Sequence, residues 1–338
     1  MKKKRKTLTI VMLMVFVITM LSGCLDDEEY ESGYYEDYAE QNYENNGEDT
    51  GNGDFFGGDE YVENNYDDNQ SGSNQQMFAY NGKYGSSGPL EGNIAVVSIF
   101  ANDLTTSWNF DNSEDTELMQ RAYYNLQLAT DYLENNCKKY GKEVNFIYDW
   151  NEHQELFYML DTDLDHSIAN SDAYTYWASA REILSQNIPT EEILNSLNTD
   201  QIIYMWYFNT PLSDTIRPNT LAFEKVFDYD PPYEGCFIYM QTENQLENPA
   251  TFAHEMLHTF GAPDLYQSWE YGITEEYVNY VTNNNLNDIM NIQCDPNTYQ
   301  PVYDRIVNEI TDITAYYVGL TDRSDTVDEW GFEPNMYQ

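Results

Sequence analysis

Two of the four histidines in this 338-residue chain stand four positions apart, in His254-Glu255-Met256-Leu257-His258. On an α-helix, residues i and i+4 share a face one turn apart, so both imidazoles can reach one metal ion. A catalytic zinc takes three protein ligands and keeps a fourth position for water or substrate. Glu255 stands beside the first histidine, where a carboxylate can take a proton from a metal-bound water. The third ligand must come from beyond the helix. Gly261 permits a sharp turn there, because glycine accepts positive φ. Pro263 stiffens the approach, and Asp264 can return to the metal.

Such chemistry needs a rigid helix, and the sequence punctuates one. Asn248 can cap it, Pro249 suits the first helical position, and Gly261 supplies the stop. Phe252, Ala253, Met256, Leu257 and Phe260 give it an apolar face, so it can be a core element. Around it, residues 94–100 form a continuous, largely β-branched and apolar run that reads as a buried strand. Residues 115–139 read as a long helix, with Leu118, Ala122, Leu126, Ala129 and Leu133 on one stripe and Gly141 after it. Further strands are expected at 144–148, 201–208 and 235–240, the last as the sheet edge bordering the cleft. Helices are expected near 170–186 and from Thr190, where Glu191 and Glu192 suit the first turn. The alternation argues an α/β fold, a mostly parallel twisted sheet with flanking helices. Residues 303–318, with Ile306, Ile310, Ile313 and Tyr317 on one face, read as a closing helix of a small C-terminal helical subdomain.

The pattern HExxHxxGxxD over 254–264 resembles the metzincin clan of zinc peptidases. Residues 252–266, ending Gly-Ala-Pro-Asp-Leu-Tyr, look especially like immune inhibitor A-type secreted peptidases. The resemblance implies Zn(2+) held by His254, His258 and Asp264, with aspartate where better-known metzincins carry a third histidine. It implies an endopeptidase in which Glu255 is the general base for a zinc-activated water that attacks a peptide carbonyl. It also implies a tight methionine turn beneath the metal, for which Asn287-Asp288-Ile289-Met290-Asn291 is the candidate, Met290 being a floor and not a ligand. Some metzincins add an oxyanion-stabilising tyrosine two positions later; here that position is Ile292, and the role of nearby Tyr266 is open. Glu275 and Glu276 stand too close after His258, and without the surrounding pattern, to be the helix-borne third ligand of the gluzincins; they are expected to be surface acids. The alternative to an enzyme is a non-catalytic surface protein that uses a peptidase-like domain for binding.

The N-terminus is of another kind. Lys2, Lys3, Lys4, Arg5 and Lys6 precede an apolar run and Leu21-Ser22-Gly23-Cys24. Charged segment, short apolar segment and small residues describe a secretory signal. The ending resembles a bacterial lipoprotein box, which implies cleavage before Cys24 and a lipid on its sulfur; an uncleaved anchor is the alternative. Both put the remainder outside the cytoplasm, at the extracellular face of the membrane. The expected division is a signal at 1–23, a tether at 24–90, a peptidase domain at 91–320 and a loose acidic tail at 321–338. The tether is rich in Asp, Glu, Asn, Gly and Tyr, has no Lys or Arg before Lys83, and keeps no apolar period. Such a chain reaches roughly 45 Å. Within it, Phe56-Gly57-Gly58-Asp59 resembles the FxGD latency motif of astacin-type propeptides.

Without residues 1–23, ten Lys and Arg face 59 Asp and Glu, a formal charge of −49. Nucleic acid is excluded as a partner, since phosphate binding needs a cationic face. The expected partners are a protein or peptide substrate and, through Cys24, a lipid bilayer; the protein is expected to be a monomer. Cys137, Cys236 and Cys294 leave one thiol unpaired, and a Cys236–Cys294 disulfide is the pairing considered. Asp161, Asp163, Asp165 and Asp172 resemble part of an EF-hand Ca(2+) loop, but His166 replaces the glycine that loop needs. His153 and His166 are expected at the surface.

Overall fold

The structure is a computed structural model that describes residues 84–332, apart from 170, 172, 222–233, 267–272 and 285. Cys24, Phe56, Asp59 and Asp172 therefore lie outside the described residues. In chain order the elements are β1 (Gly92–Asn102), α1 (Ser113–Lys139), β2 (Val144–Ile147), β3 (Phe157–Asp161), α2 (Ala173–Asn187), α3 (Thr190–Leu197) and β4 (Gln201–Phe208). They continue with β5 (Asn219–Leu221), β6 (Gly235–Tyr239), β7 (Gln241–Thr242), β8 (Gln245–Leu246), α4 (Pro249–His258), α5 (Glu275–Asn284), α6 (Asp312–Tyr317) and α7 (Asp325–Trp330). No helix among the described residues is long and apolar enough to cross a membrane.

β1 is an interior strand of the main sheet, buried on both faces from Ile94 to Ala101. It pairs in parallel with β4 on one side. On the other side, β2 takes its first half and β3 its second, both in parallel. The order continues from β4 to β6, in parallel, and ends at β5, antiparallel. The pleat sorts the side chains into two layers. Ile94, Val96 and Phe100 join Met205, Tyr207, Cys236 and Ile238 against α1 and α4. Ala95, Val97 and Ile99 join Tyr204, Trp206 and Phe237 against Tyr176, Trp177 and Ala180 of α2 and Ile193 of α3. The fold is α/β, a mostly parallel sheet between helices, as the alternation of elements predicts.

Several expectations are corrected. The strand at 235–240 is not the edge, since β5 pairs outside it; three residues are too few to carry a period. β3 has no counterpart among the expected strands because its residues are half-buried or exposed rather than alternating. Only 312–317 of the expected closing helix is helical. Its first half is drawn out as an extended segment by residues 287–288: Asn287 Nδ2 donates to the Val307 carbonyl at 3.0 Å, and the Glu309 amide donates to the Asn287 carbonyl at 2.9 Å. The tail is not loose through Phe332. Ser324 caps α7, Val327 and Phe332 are buried, and the Trp330 and Phe332 rings meet Tyr277 edge-on at 5.1 and 4.7 Å.

The packed region also begins before 91. Leu90 is fully buried, Ser87 donates its amide to the Thr259 carbonyl at 2.9 Å, and Ser86 binds Glu234. Gly85 has no alternative there, since a Cβ would collide with the Thr259 carbonyl. The Cys236–Cys294 disulfide does not form: Cys137, Cys236 and Cys294 are all thiols, and Cys236 Sγ lies 3.4 Å from the Glu255 carbonyl in the layer beneath α4.

Candidate metal centre

α4 is built as its sequence requires. The Asn248 side chain accepts the amides of Ala250 and Thr251 at 2.9 and 3.4 Å, and Pro249 opens the first turn. Every residue from Pro249 to Leu257 is buried, so packing on both sides fixes the helix axis. Beyond His258 the chain reverses at Gly261, where φ is +99° and an L side chain would be strained. The reversal carries Asp264 back over the helix. Its Oδ1 lies 3.2 Å from His254 Nε2 and 3.3 Å from His258 Nε2, and the two Nε2 atoms are 3.2 Å apart.

The other face of each imidazole settles which nitrogen carries the proton. His254 Nδ1 donates to the Ile289 carbonyl at 3.0 Å, and His258 Nδ1 donates to the Ala262 carbonyl at 2.7 Å. In the neutral ring the opposite nitrogen is then a lone-pair donor. Two Nε2 lone pairs and a carboxylate oxygen therefore converge on one point. Ligand bonds of about 2.0–2.1 Å in a tetrahedron correspond to ligand–ligand edges of about 3.3 Å. The observed triangle has that size, so the residues present fit a small tetrahedral cation. With no cation between them, burial would push the Asp264 carboxyl up, but the charge and Nε2–H groups of protonated His258 and His254 outweigh it and hold Asp264 well below the usual carboxylate range; a cation takes the place of those protons. Among the described residues this is the one group of His, Cys, Asp or Glu whose ligand atoms come together, all within 4.8 Å.

The expected methionine turn touches both arms of the triangle through its backbone. Ile289 supplies the carbonyl for His254, and the Met290 carbonyl accepts the Leu265 amide at 2.9 Å, one residue past Asp264. Met290 itself is fully buried and donates its amide to Asp288 Oδ1 at 2.8 Å. Asp288, which the sequence offered only as a member of the candidate turn, proves to be its anchor. It is fully buried and also accepts from the Thr311 amide at 2.9 Å, the Thr311 hydroxyl at 2.5 Å and the Thr314 hydroxyl at 2.8 Å. Burial pushes its carboxyl up, and these donors work against that rise.

Glu255 is buried on α4 and lines a cleft of about 390 Å³ together with His254, Thr251, Glu247, Tyr266 and Arg217. The Tyr266 ring stacks over His254, 6.3 Å between centroids and 19° between planes, and stays 43% exposed. Glu247 is a second carboxyl in the cleft that sequence reading missed. Burial and the charge of Glu255 push it up to about 7, against bonds from Thr251, Asn248 and Thr242. Glu234, fully buried, is also pushed up to about 7 by burial, although the Ser86 hydroxyl and amide donate to its Oε2 at 2.6 and 2.7 Å.

Other expected site residues stand apart. Glu275 and Glu276 are exposed at the start of α5. In the calcium-like stretch, Asp161 accepts from Asn102 at 2.7 Å and Asp165 caps a short 3-10 turn through the Ser167 amide at 3.0 Å. Its described acids form no cluster of three ligands. His153 is partly exposed, 3.5 Å from Glu155. His166 is not a surface residue: it is 4% exposed, between the carboxylates of Asp103 and Asp214. No protein-family model, curated protein or solved structure matches the chain.

Proposed function

We infer that the protein is a zinc-dependent peptidase of metzincin type, an endopeptidase acting on protein or peptide substrates outside the cytoplasm. The observation that carries this reading is the triangle of His254, His258 and Asp264 at tetrahedral spacing, with Glu255 one residue along α4 in the adjoining cleft. The donor set of two imidazoles and one carboxylate suits zinc and leaves a position open for water or substrate. Zinc, when bound, supplies a Lewis acid and brings the pKa of a coordinated water toward about 7.

The protein's own residues do the rest. His254 and His258 are held in the Nδ1–H tautomer by backbone carbonyls, so no rearrangement precedes binding. The Glu255 carboxylate takes the proton of the attacking water and returns it to the departing amine. Tyr266, at the rim, offers a phenol to the developing oxyanion where position 292 offers only isoleucine. The acidic segment after Cys24 would tether the domain to the membrane by a lipid on that cysteine, and the single-domain site needs no second copy.

The test is metal content and peptide hydrolysis on wild type, Asp264→Ala and Glu255→Gln, with and without chelator. One zinc per chain, lost in Asp264→Ala and retained in Glu255→Gln, with hydrolysis abolished in both variants and by chelator, is the expected result. Hydrolysis that survives chelator, or full activity in Glu255→Gln, overturns the reading. Zinc bound with no hydrolysis of any library peptide would favour the binding-protein alternative.

A further inference from the structure

The buried histidine outside the metal triangle belongs to a charged bridge at one end of the sheet. β3, β1 and β4 are neighbours, and each runs into a loop at its carboxyl end. Those loops carry His166, Asp103 and Asp214 respectively. His166 Nδ1 is 2.5 Å from Asp103 Oδ2, and His166 Nε2 is 2.9 Å from Asp214 Oδ2. An ionised carboxylate only accepts, so both ring nitrogens must donate, and the ring is an imidazolium. Asp103 is spent otherwise on its own loop, accepting the amides of Thr105 and Thr106 at 2.8 and 2.6 Å.

The loop after β4 holds the β7–β8 hairpin. The hairpin tip is Glu243-Asn244, both at positive φ (50° and 62°), which asparagine tolerates and glutamate adopts only with strain. The tip amides point at the loop: Glu243 donates to the Asp214 carbonyl and Asn244 to the Leu212 carbonyl, both at 2.7 Å. The Thr210 hydroxyl donates to the Gln241 carbonyl at 2.6 Å. Thr242, Glu243, Gln245 and Leu246 of this hairpin line the cleft that contains His254 and Glu255. Asp214 therefore joins the two systems, its carboxylate on His166 and its carbonyl on the hairpin tip.

We propose that His166 is a positioning residue that, through Asp214, holds the β7–β8 hairpin in place as the substrate-binding wall of the metal cleft. The claim about substrate rests on the peptidase reading; the claim about the hairpin does not. The groups facing the ring are Asp103 after β1, Asp214 after β4, Tyr239 of β6 at 5.7 Å between rings, and Tyr176 of α2 beyond it, with Asp165 on its own turn. Burial would push His166 down, but the bonds and charges of Asp103 and Asp214 raise it above the ordinary imidazole value. A neutral ring has one N–H for two carboxylates, so one contact becomes repulsive. The bridge holds below the raised histidine pKa and is lost as pH rises through it.

The experiment is backbone amide exchange on the full-length protein, with peptide kinetics and metal content on the same samples. His166→Asn removes the bridge, and Asp214→Asn keeps the Asp103–His166 pair, so a folding failure in one leaves the other. Exchange of the Glu243 and Asn244 amides should rise about tenfold in each variant, with the α4 amides and the zinc content unchanged. KM should rise about tenfold while kcat stays within about twofold, because the wall binds substrate and does not touch the reacting bond. In wild type, the same amides should lose protection as pH rises through the His166 pKa, after correction for intrinsic exchange, and His166→Asn should lack that step. Unchanged protection of Glu243 and Asn244 in both variants overturns the proposal. An inactive wild type sinks the peptidase reading, and the exchange result still decides the hairpin.

Discussion

Replacing Asp288 by asparagine tests whether one buried carboxylate supports the metal site from below. Asp288 Oδ1 accepts the Met290 amide and the Thr314 hydroxyl; Oδ2 accepts the Thr311 amide and hydroxyl. A side-chain amide has one oxygen, so whichever way the substituted side chain turns, its NH2 faces a backbone N–H. The threonine hydroxyls can rotate to accept, but the amide of Met290 or of Thr311 cannot. One buried N–H left without an acceptor costs about 1–3 kcal/mol. The wild-type carboxylate is itself disfavoured by burial, which keeps the expected loss toward the lower half of that range. In a domain of this size each kcal/mol lowers Tm by about 2–4 °C. The turn also carries the Ile289 carbonyl that orients His254, and loosening such an outer partner costs about 10–100-fold in metal affinity. Thermal unfolding with chelator reads the first effect, and competition with a chromophoric zinc chelator reads the second. An Asp288→Asn protein with wild-type Tm and wild-type zinc affinity would refute the role of Asp288.

Other expectations follow from the same geometry. Gly261→Ala forces a side chain into φ +99° and should cost about 1–3 kcal/mol while displacing Asp264, seen as lower Tm and sub-stoichiometric zinc; normal values in both would exclude strain at the reversal. Cys137 and Cys236 should react with a thiol reagent only after unfolding, and Cys294 in the native protein; burial also pushes the Cys137 thiol up to about 12. An internal disulfide on non-reducing gels would contradict this. Glu234, raised from 4.5 to about 7, binds its proton more tightly folded than unfolded, so its contribution is present below pH 4.5 and is withdrawn as pH rises toward 7. Glu234→Gln should remove that slope, about 1.4 kcal/mol per pH unit, from urea unfolding between pH 5 and 7; an identical slope in both proteins would assign it elsewhere. Truncation after Leu320 removes the buried Val327 and Phe332 and should cost about 3 kcal/mol in urea unfolding, whereas an unchanged midpoint would mean α7 adds nothing.

The sequence by itself determined the metal helix almost completely. Asn248, Pro249, the histidine pair and Gly261 act over one or two turns of chain, so cap, spacing and stop are all written within 14 residues. Strands 94–100 and 201–208 were legible for a related reason, since burial on both faces demands an unbroken apolar run. What only the tertiary structure decided lies in bonds between distant positions. Asn287 with Val307 and Glu309 draws out the segment expected to be helix, Ser86 on Glu234 brings the end of the tether into the domain, and Asp103 and Asp214 turn an expected surface histidine inward. The pairing of β5 outside β6 and the docking of α7 on Tyr277 belong with these. A side chain that bonds to a backbone 20 or more residues away repeats with no period and caps no local element. Such bonds exist only once the sheet has set its strand order, and so the sequence named the candidate ligands while the fold chose what holds them.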